Sequence, residues 1–421
     1  MTNEKDAKGV GSILEKAEKC LKYPLCDNCL GRQFGQLLSG HTNDERGMII
    51  RKMVAMNLDK QKGAESHTHQ FSDIDMSNFL GFKFHSLETS KTQKKTCSLC
   101  GGLFQRLDYY AKKAFTAVKK YEFSTFLMGT KLSFDLAQRE EDFWEKVGIE
   151  HCEPLKAEIN RELGKKVEQL TGARFNAKQP NVNIIIDFEK NRVNVDVNPL
   201  FIYGEYQKLI RGIPQTKWPS GKYKTSVEQI IAKPFMAATG GKAHKFHGLG
   251  REDIDARCLG WRPFVLEITK PKKRSIDISR LARKIDLKKV RTRKMQFSSV
   301  DEMRKVKESR ADKTYRCVVE CENITKKDLE KIKQIGQINQ RTPQRVLHRR
   351  ADLLRRRNVK SMQVKYVNSK KFLLTVKTDA GLYVKELVSG DAGRTKPSIS
   401  ELLGQKCVCK YLDVIKIEWK K

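Results

Sequence analysis

The chain has 421 residues, of which 84 are Lys or Arg and 50 are Asp or Glu, leaving a formal net charge of +34. That length implies two or three domains, and 39% hydrophobic residues are enough to bury real cores. A field of this sign draws polyanions from a distance, so nucleic acid is the first partner expected; no apolar run reaches the roughly 18 residues that a membrane-spanning helix needs.

The N-terminus, from Met1 to Lys8, lacks a basic segment followed by an apolar stretch, which predicts a cytoplasmic protein rather than a secreted one. Its 11 cysteines are then expected to be metal ligands or buried thiols rather than disulfides. Cys26 and Cys29 form one Cys-x2-Cys pair, Cys97 and Cys100 a second. Two such knuckles complete a tetrahedron around one zinc ion and leave no open position for chemistry; the alternative is two unrelated pairs of thiols. The polar stretch from Lys60 to Ser72 reads as a loop of the insert between the pairs, with His67 and His69 solvated.

Further on, Leu155, Ile159, Leu163 and Val167 recur every four residues and mark one face of a helix. Val182, Ile184, Ile186 and Phe188 alternate, as do Val193, Val195 and Val197, with Glu189-Lys190-Asn191 between them, which predicts a hairpin. Pro199 to Gly204 is expected to close this small α/β module, and the turn-rich segment Arg211 to Pro219 marks the boundary. Beyond it, Tyr315–Val319, Met362–Val367, Phe372–Val376 and Leu412–Trp419 read as strands. Ile324 to Ile335, following Asn323 as N-cap, reads as a helix. Separated strands with helices between them predict an α+β domain with a mixed or mostly antiparallel sheet. Cys407 and Cys409 occupy alternate positions of a strand.

Positive charge is concentrated locally. Lys270 to Lys294 holds 12 basic residues and two acids, and Arg341 to Lys360 holds eight and one. No cofactor cradle is legible. Gly240-Gly241-Lys242 is followed by Ala243, where a phosphate loop needs Ser or Thr, and no Gly-x-Gly-x-x-Gly follows a strand. His244 and His247 are expected to face RNA or solvent rather than metal. Any reaction therefore has to run on side chains alone.

The most informative segment is Gly250-Arg251-Glu252-Asp253-Ile254-Asp255, which sets two carboxylates among Arg251, Arg257 and Arg262 just before the strand-like Pro263–Ile268. Alone, this is also the pattern of a polar turn whose acids balance nearby arginines. Four further segments decide its reading. They are the paired Cys-x2-Cys motifs; Tyr203-Gly204-x-Tyr206-x-Lys208-Leu209-x-Arg211-Gly212-Ile213-Pro214-Gln215-Thr216; Arg341-Thr342-Pro343-x-Arg345-Val346-x-His348-Arg349-Arg350; and Gly381-Leu382-Tyr383-Val384-Lys385-Glu386 with Gly390-Asp391-x-Gly393-Arg394-Thr395-x-Pro397-Ser398. In this order, over nearly the whole chain, they resemble the pseudouridine synthase ten family of tRNA-modifying enzymes, archaeal type.

The resemblance implies a zinc-knuckle segment (1–103), a THUMP-like RNA-binding domain (104–212) and a pseudouridine synthase catalytic domain (213–421). It implies isomerisation of uridine to pseudouridine at positions 54 and 55 of the tRNA T-arm, by a monomer with structural zinc and no organic cofactor. Carried over residue by residue, Asp253 is the catalytic aspartate, Lys385 its basic partner, and Tyr315 the ring that stacks on the target base. Val384 and Leu412 line the pocket, with Leu403 a rival for the last place. Asp255 ranks below Asp253, its simpler reading being a salt bridge to Arg251 or Arg257. Arg349 and Arg350 are expected to bind phosphates, with Lys270–Lys294 as a second basic path and the THUMP-like region gripping the acceptor end. One departure is that the family's Gly-x-Gly-Arg-Pro-Phe is one residue shorter here, Gly260-Trp261-Arg262-Pro263-Phe264, which bears on the loop after Asp253. A non-catalytic, zinc-containing RNA-binding protein is the rival class.

Overall fold

The computed structural model describes residues 7–61, 73–85 and 93–419. Most of the expected loop at 60–72, including His67 and His69, lies outside the described residues, as does the side chain of Arg349. Two compact units emerge, Met1–Asn198 and Pro199–Lys421.

The first unit contains α1 (Ala7–Leu21), α2 (Asp27–Gly31), α3 (Asn43–Gln61), α4 (Leu107–Val118), β1 (Thr125–Lys131), α5 (Phe134–Val147), α6 (Leu155–Thr171), β2 (Arg174–Phe175), β3 (Val182–Asp187) and β4 (Arg192–Val197). Its sheet runs β2-β1-β3-β4, with β1 parallel to both neighbours and β3–β4 the expected hairpin. The four-residue spacing on α6 works as predicted: Leu155, Ile159, Leu163 and Val167 are all fully buried, on a helix that packs against α4 and β1. Gly172 ends α6 with φ 70°, a left-handed cap that glycine adopts without strain. The segment leading into α2 is fixed by Arg51, whose guanidinium pairs with Asp27 at 2.8 Å and donates to the carbonyls of Leu25 and Asn78.

The second unit contains β5 (Leu200–Lys208), α7 (Val227–Thr239), β6 (Ala243–Gly248), β7 (Arg257–Thr269), α8 (Ile278–Ala282), β8 (Val290–Ser298), α9 (Val300–Glu308) and β9 (Lys313–Cys321). There follow α10 (Asp328–Ile332), β10 (Gln337–Arg341), β11 (Leu354–Asn368), β12 (Lys371–Thr378), α11 (Val384–Ser389), β13 (Thr395–Lys396), α12 (Ile399–Leu403) and β14 (Cys407–Ile417). Its ten-stranded sheet has the order β13-β10-β11-β12-β9-β14-β7-β5-β8, with β6 paired to β7. Neighbours are antiparallel except for β14 and β7, so the α+β expectation with a mixed, mostly antiparallel sheet holds.

Several local expectations are corrected. The strand expected to close the preceding module, β5, instead pairs with β7 and β8 inside the larger sheet. Its near-continuous burial is the signature of a central strand. At Gly204 any side chain would force its neighbours to move, because a Cβ would stand 2.2 Å from the Met295 sulfur and 2.9 Å from the Phe264 ring. The shortened Gly260–Phe264 stretch lies within β7 rather than in a loop. Only Asp328–Ile332 of the expected 324–335 helix is helical, and Asn323 does not cap it; Ile324, Ile332 and Ile335 are still buried, so an irregular segment with one turn achieves the same burial. Finally, one disulfide joins Cys317 of β9 to Cys409 of β14. The two lie diagonally on one face of adjacent antiparallel strands with Cα atoms 6.1 Å apart, within bridging reach.

Candidate active site and metal centre

In the first unit, the Sγ atoms of Cys26, Cys29, Cys97 and Cys100 all lie within 4.8 Å of one another. Cys26 opens α2, while Cys97 and Cys100 sit on a turn. Three of the four residues are buried. Four sulfurs gathered in one spot from two knuckles suit a tetrahedral zinc ion without rearrangement of the backbone.

In the second unit, the loop between β6 and β7 carries Asp253, and a buried polar network fixes its backbone. Glu252 is fully buried and accepts from the Tyr206 hydroxyl at 2.9 Å, while Arg262 forms an ion pair with it at 3.0 Å. Lys208, also without exposure, donates to the carbonyls of Ile213, Asp253 and Ile254 at 3.0, 3.0 and 3.2 Å. Burial holds the Lys208 ammonium below its usual range, against the pull of Glu252. Gln215 ties Tyr206 to the carbonyl of Gly250 at 2.8 and 3.0 Å. Gly250 has φ 71°, and a Cβ there would come within 3.5 Å of both Arg262 and Lys313. The hydrogen bonds of Tyr206, Lys208 and Gln215 satisfy polar groups that would otherwise be orphaned in the interior, while Arg262 Nε meets Glu252 as an ion pair without a hydrogen bond. Asp253 thus sits on a loop whose backbone is rigidly specified.

The carboxylate itself faces outward, with its side chain 29% exposed, and meets two cations. Arg345 Nη1 donates to Oδ1 at 3.1 Å, and Lys385 Nζ stands 3.5 Å from Oδ2. Arg345 comes from the 3-10 turn Gln344–Arg349, and Lys385 from the first turn of α11. The guanidinium is aimed by Glu386, buried on that same turn, which accepts from Arg345 Nε at 2.6 Å. Asp255 pairs with Lys385, at 2.7 Å. Burial opposes ionisation of Asp255, but the Lys385 ammonium outweighs it and holds the carboxyl below its usual range. Arg257 is engaged instead with Asp413, at 2.7 Å.

A cavity of ≈ 270 Å³ opens beside Asp253, lined by Tyr315, Val384, Leu412, Lys313 and Arg350 among others. Tyr315 lies on β9 between Val376 of β12 and Val414 of β14; burial pushes its phenol up to about 12, so it is a neutral aromatic wall. Lys313, two residues before it on the same face of β9, is held down to about 8 by burial and by the nearby Arg262. The structure therefore brings Asp253, Lys385, Tyr315, Val384, Leu412 and Arg350 to one cavity. Leu403 is on α12, packed against the core and away from the cavity lining. His244 and His247 lie on β6, both partly exposed, and they face Glu228 at 3.4 Å and Glu267 at 2.8 Å. Arg345, Glu386 and Lys313 have no role that sequence alone assigns. The first two stand within the resembling motifs, but their link to Asp253 spans the chain.

A family model described as "Pus10, C-terminal" matches residues 201–418, and one described as "Pus10 THUMP domain, archaeal" matches residues 110–187. Among curated relatives, the "tRNA pseudouridine synthase Pus10" of Pyrococcus furiosus is 38% identical over 414 residues, covering 96% of this chain and 98% of the relative. That of Methanocaldococcus jannaschii is 39% identical over 424 residues, covering 94% and 92%. A solved structure titled "Crystal Structure of a Cbf5-Nop10-Gar1 Complex" aligns with 50% of this chain and 47% of its own at 18% identity and a TM-score of 0.31, a likeness too slight to argue from.

Proposed function

The chain belongs to the Pus10 family, and from that premise we propose that it is a tRNA pseudouridine synthase acting on T-arm uridines at positions 54 and 55, with Asp253 as the catalytic group and no organic cofactor. The reaction breaks the C1′–N1 glycosidic bond, turns the uracil and forms a C1′–C5 bond, the C5 hydrogen being lost and a proton gained at nitrogen. No electrons are exchanged with a partner, so side chains suffice. A carboxylate serves either by attacking as a nucleophile or by taking a proton. A stacked base also has to be flipped out and held against an aromatic face, a role suited to Tyr315 with Val384 and Leu412 as apolar walls. Arg350 and the segment Lys270–Lys294 would contact phosphates, giving affinity and register.

The observation that carries this reading is the Asp253 carboxylate at the mouth of a cavity walled by Tyr315, held between Arg345 and Lys385. The test is pseudouridine mapping in a tRNA transcript incubated with the purified full chain, zinc-replete and without added cofactor. Modification at 54 and 55 is expected. Asp253→Asn should lower turnover by more than about 10⁴-fold while tRNA affinity stays near wild type. Binding without product in the unaltered protein would favour the non-catalytic RNA-binding class.

A further inference from the structure

A second cavity, of ≈ 240 Å³, adjoins the first and shares with it Arg251, Glu252, Asp253, Arg345, Arg350, Tyr383 and Lys385. Its own wall is Trp218, from the segment between β5 and α7, with Ile254, Asp255 and Val346. We propose that this cavity is a binding subsite for the nucleotide next to the target uridine in the RNA chain, with the Trp218 indole stacking on its base and Arg350 and Arg251 holding the phosphate between the two. The proposal rests on the reading above that the substrate is RNA.

Asp253 stands on the wall common to the two cavities, so the target ribose has to lie there for its carboxylate to reach the glycosidic bond. With the target base in the cavity of Tyr315, the sugar–phosphate chain leaves past Asp253 into the cavity of Trp218. The two spaces are nearly equal in volume, so what fits one in bulk fits the other. Their chemistry also suits a nucleotide. A phosphate alone needs only cations, whereas an indole offers a flat apolar face, and base–aromatic stacking takes any of the four bases. Tyr223 meets Trp218 edge to face, with centroids 5.5 Å apart and an interplanar angle of 79°, and among the described residues no ring lies parallel on the indole. Arg350 makes no ion pair among the described residues and remains available to a phosphate. Asp255, the acid found only in this second cavity, is already neutralised by Lys385. Extruding one nucleotide from a stack exposes its neighbour, and a platform for that neighbour offsets part of the unstacking cost.

The test is a cycle between protein and RNA. Full-length wild type, Trp218→Ala and Trp218→Phe are each titrated with T-arm RNA that is intact, or abasic at the residue 5′ or 3′ of the target, and single-turnover rates are read by pseudouridine mapping. Trp218→Ala should weaken binding of intact RNA by roughly 5- to 150-fold, the range of one base–aromatic stack, and Trp218→Phe by less. In wild type, one of the two abasic substitutions should cost a comparable factor, and in Trp218→Ala that same substitution should cost nothing further. If both abasic substitutions cost the same in Trp218→Ala as in wild type, the subsite proposal is overturned. Should the alanine variant not fold, Trp218→Phe takes its place in the cycle, and a wild type indifferent to both abasic substitutions overturns the proposal equally. Absence of pseudouridine from wild type with intact RNA would instead sink the reading on which the proposal rests.

Discussion

Arg345 and Asp253 meet across 92 residues of sequence through a single hydrogen bond of 3.1 Å, while the other edge of the same guanidinium is gripped by the buried Glu386 at 2.6 Å. The buried carboxylate fixes the arginine, and the arginine fixes the partly exposed carboxylate. Charge-assisted bonds of this kind carry direction as well as strength.

Glu386 should therefore act as a positioning residue. Glu386→Gln removes the charge that aims Arg345 while keeping its volume, and it should lower kcat by up to about 10²-fold, the cost of a small misplacement of a reacting group, with KM for tRNA little changed. Arg345→Gln should do more harm and Arg345→Lys less. Steady-state kinetics with a melting curve for each variant check this. Unaltered kcat in a folded Glu386→Gln would mean that Arg345 needs no aiming.

How much of this site is legible in the sequence follows from where each signal lies. The face of α6, the β3–β4 hairpin and the two Cys-x2-Cys pairs are local periodicities, and each appears where the spacing puts it. Asp253, Val384 and Lys385 come from motifs held in linear order, whereas Tyr315 lies outside every one of them and is singled out only by the family resemblance. The polar cage around Glu252 has no such signal, because Tyr206, Lys208, Gln215 and Arg262 are buried charged and polar groups that satisfy one another only once β5, β7 and the catalytic loop are assembled. The position of β5 is hidden for a related reason. Pro199 follows almost at once after the hairpin, and nothing local says that Leu200–Lys208 pairs with the distant strands β7 and β8, as in Lys208 with Cys258 and Phe201 with Ser298.

Lys313 predicts an alkaline signature. Its ammonium is held down to about 8 from 10.5, first by burial and then by Arg262, so between those two values the unfolded chain binds more protons than the folded one. Stability should accordingly rise with pH through that window. Below pH 8 the folded protein bears the full cost of the buried charge, on the order of 1–3 kcal/mol. Lys313→Met should lack this rise, so its stability relative to wild type should be best at pH 7 and should fall by pH 10. Urea unfolding of both full-length proteins at the two pH values, followed by tryptophan fluorescence, reads the difference. Parallel pH profiles would show that Lys313 keeps an ordinary affinity for its proton.

The cysteine cluster predicts that the first unit depends on metal. Four thiolates held within 4.8 Å of one another could not share a buried site without a cation, since their mutual repulsion and loss of solvent would be uncompensated. With zinc bound, the same four groups cross-link α2 to the turn at Cys97–Cys100, and the binding free energy becomes folding free energy. We expect elemental analysis of the wild type to find about one zinc per chain, and Cys97→Ser with Cys100→Ser to lose it. In that double variant, hydrogen exchange should speed up around α2 and the Cys97–Cys100 turn, whereas β9 and β14 of the second unit should keep their protection. Carefully prepared wild type that contains no zinc and is unchanged by a chelator would show instead that these are four neutral thiols, packed together as part of the hydrophobic core.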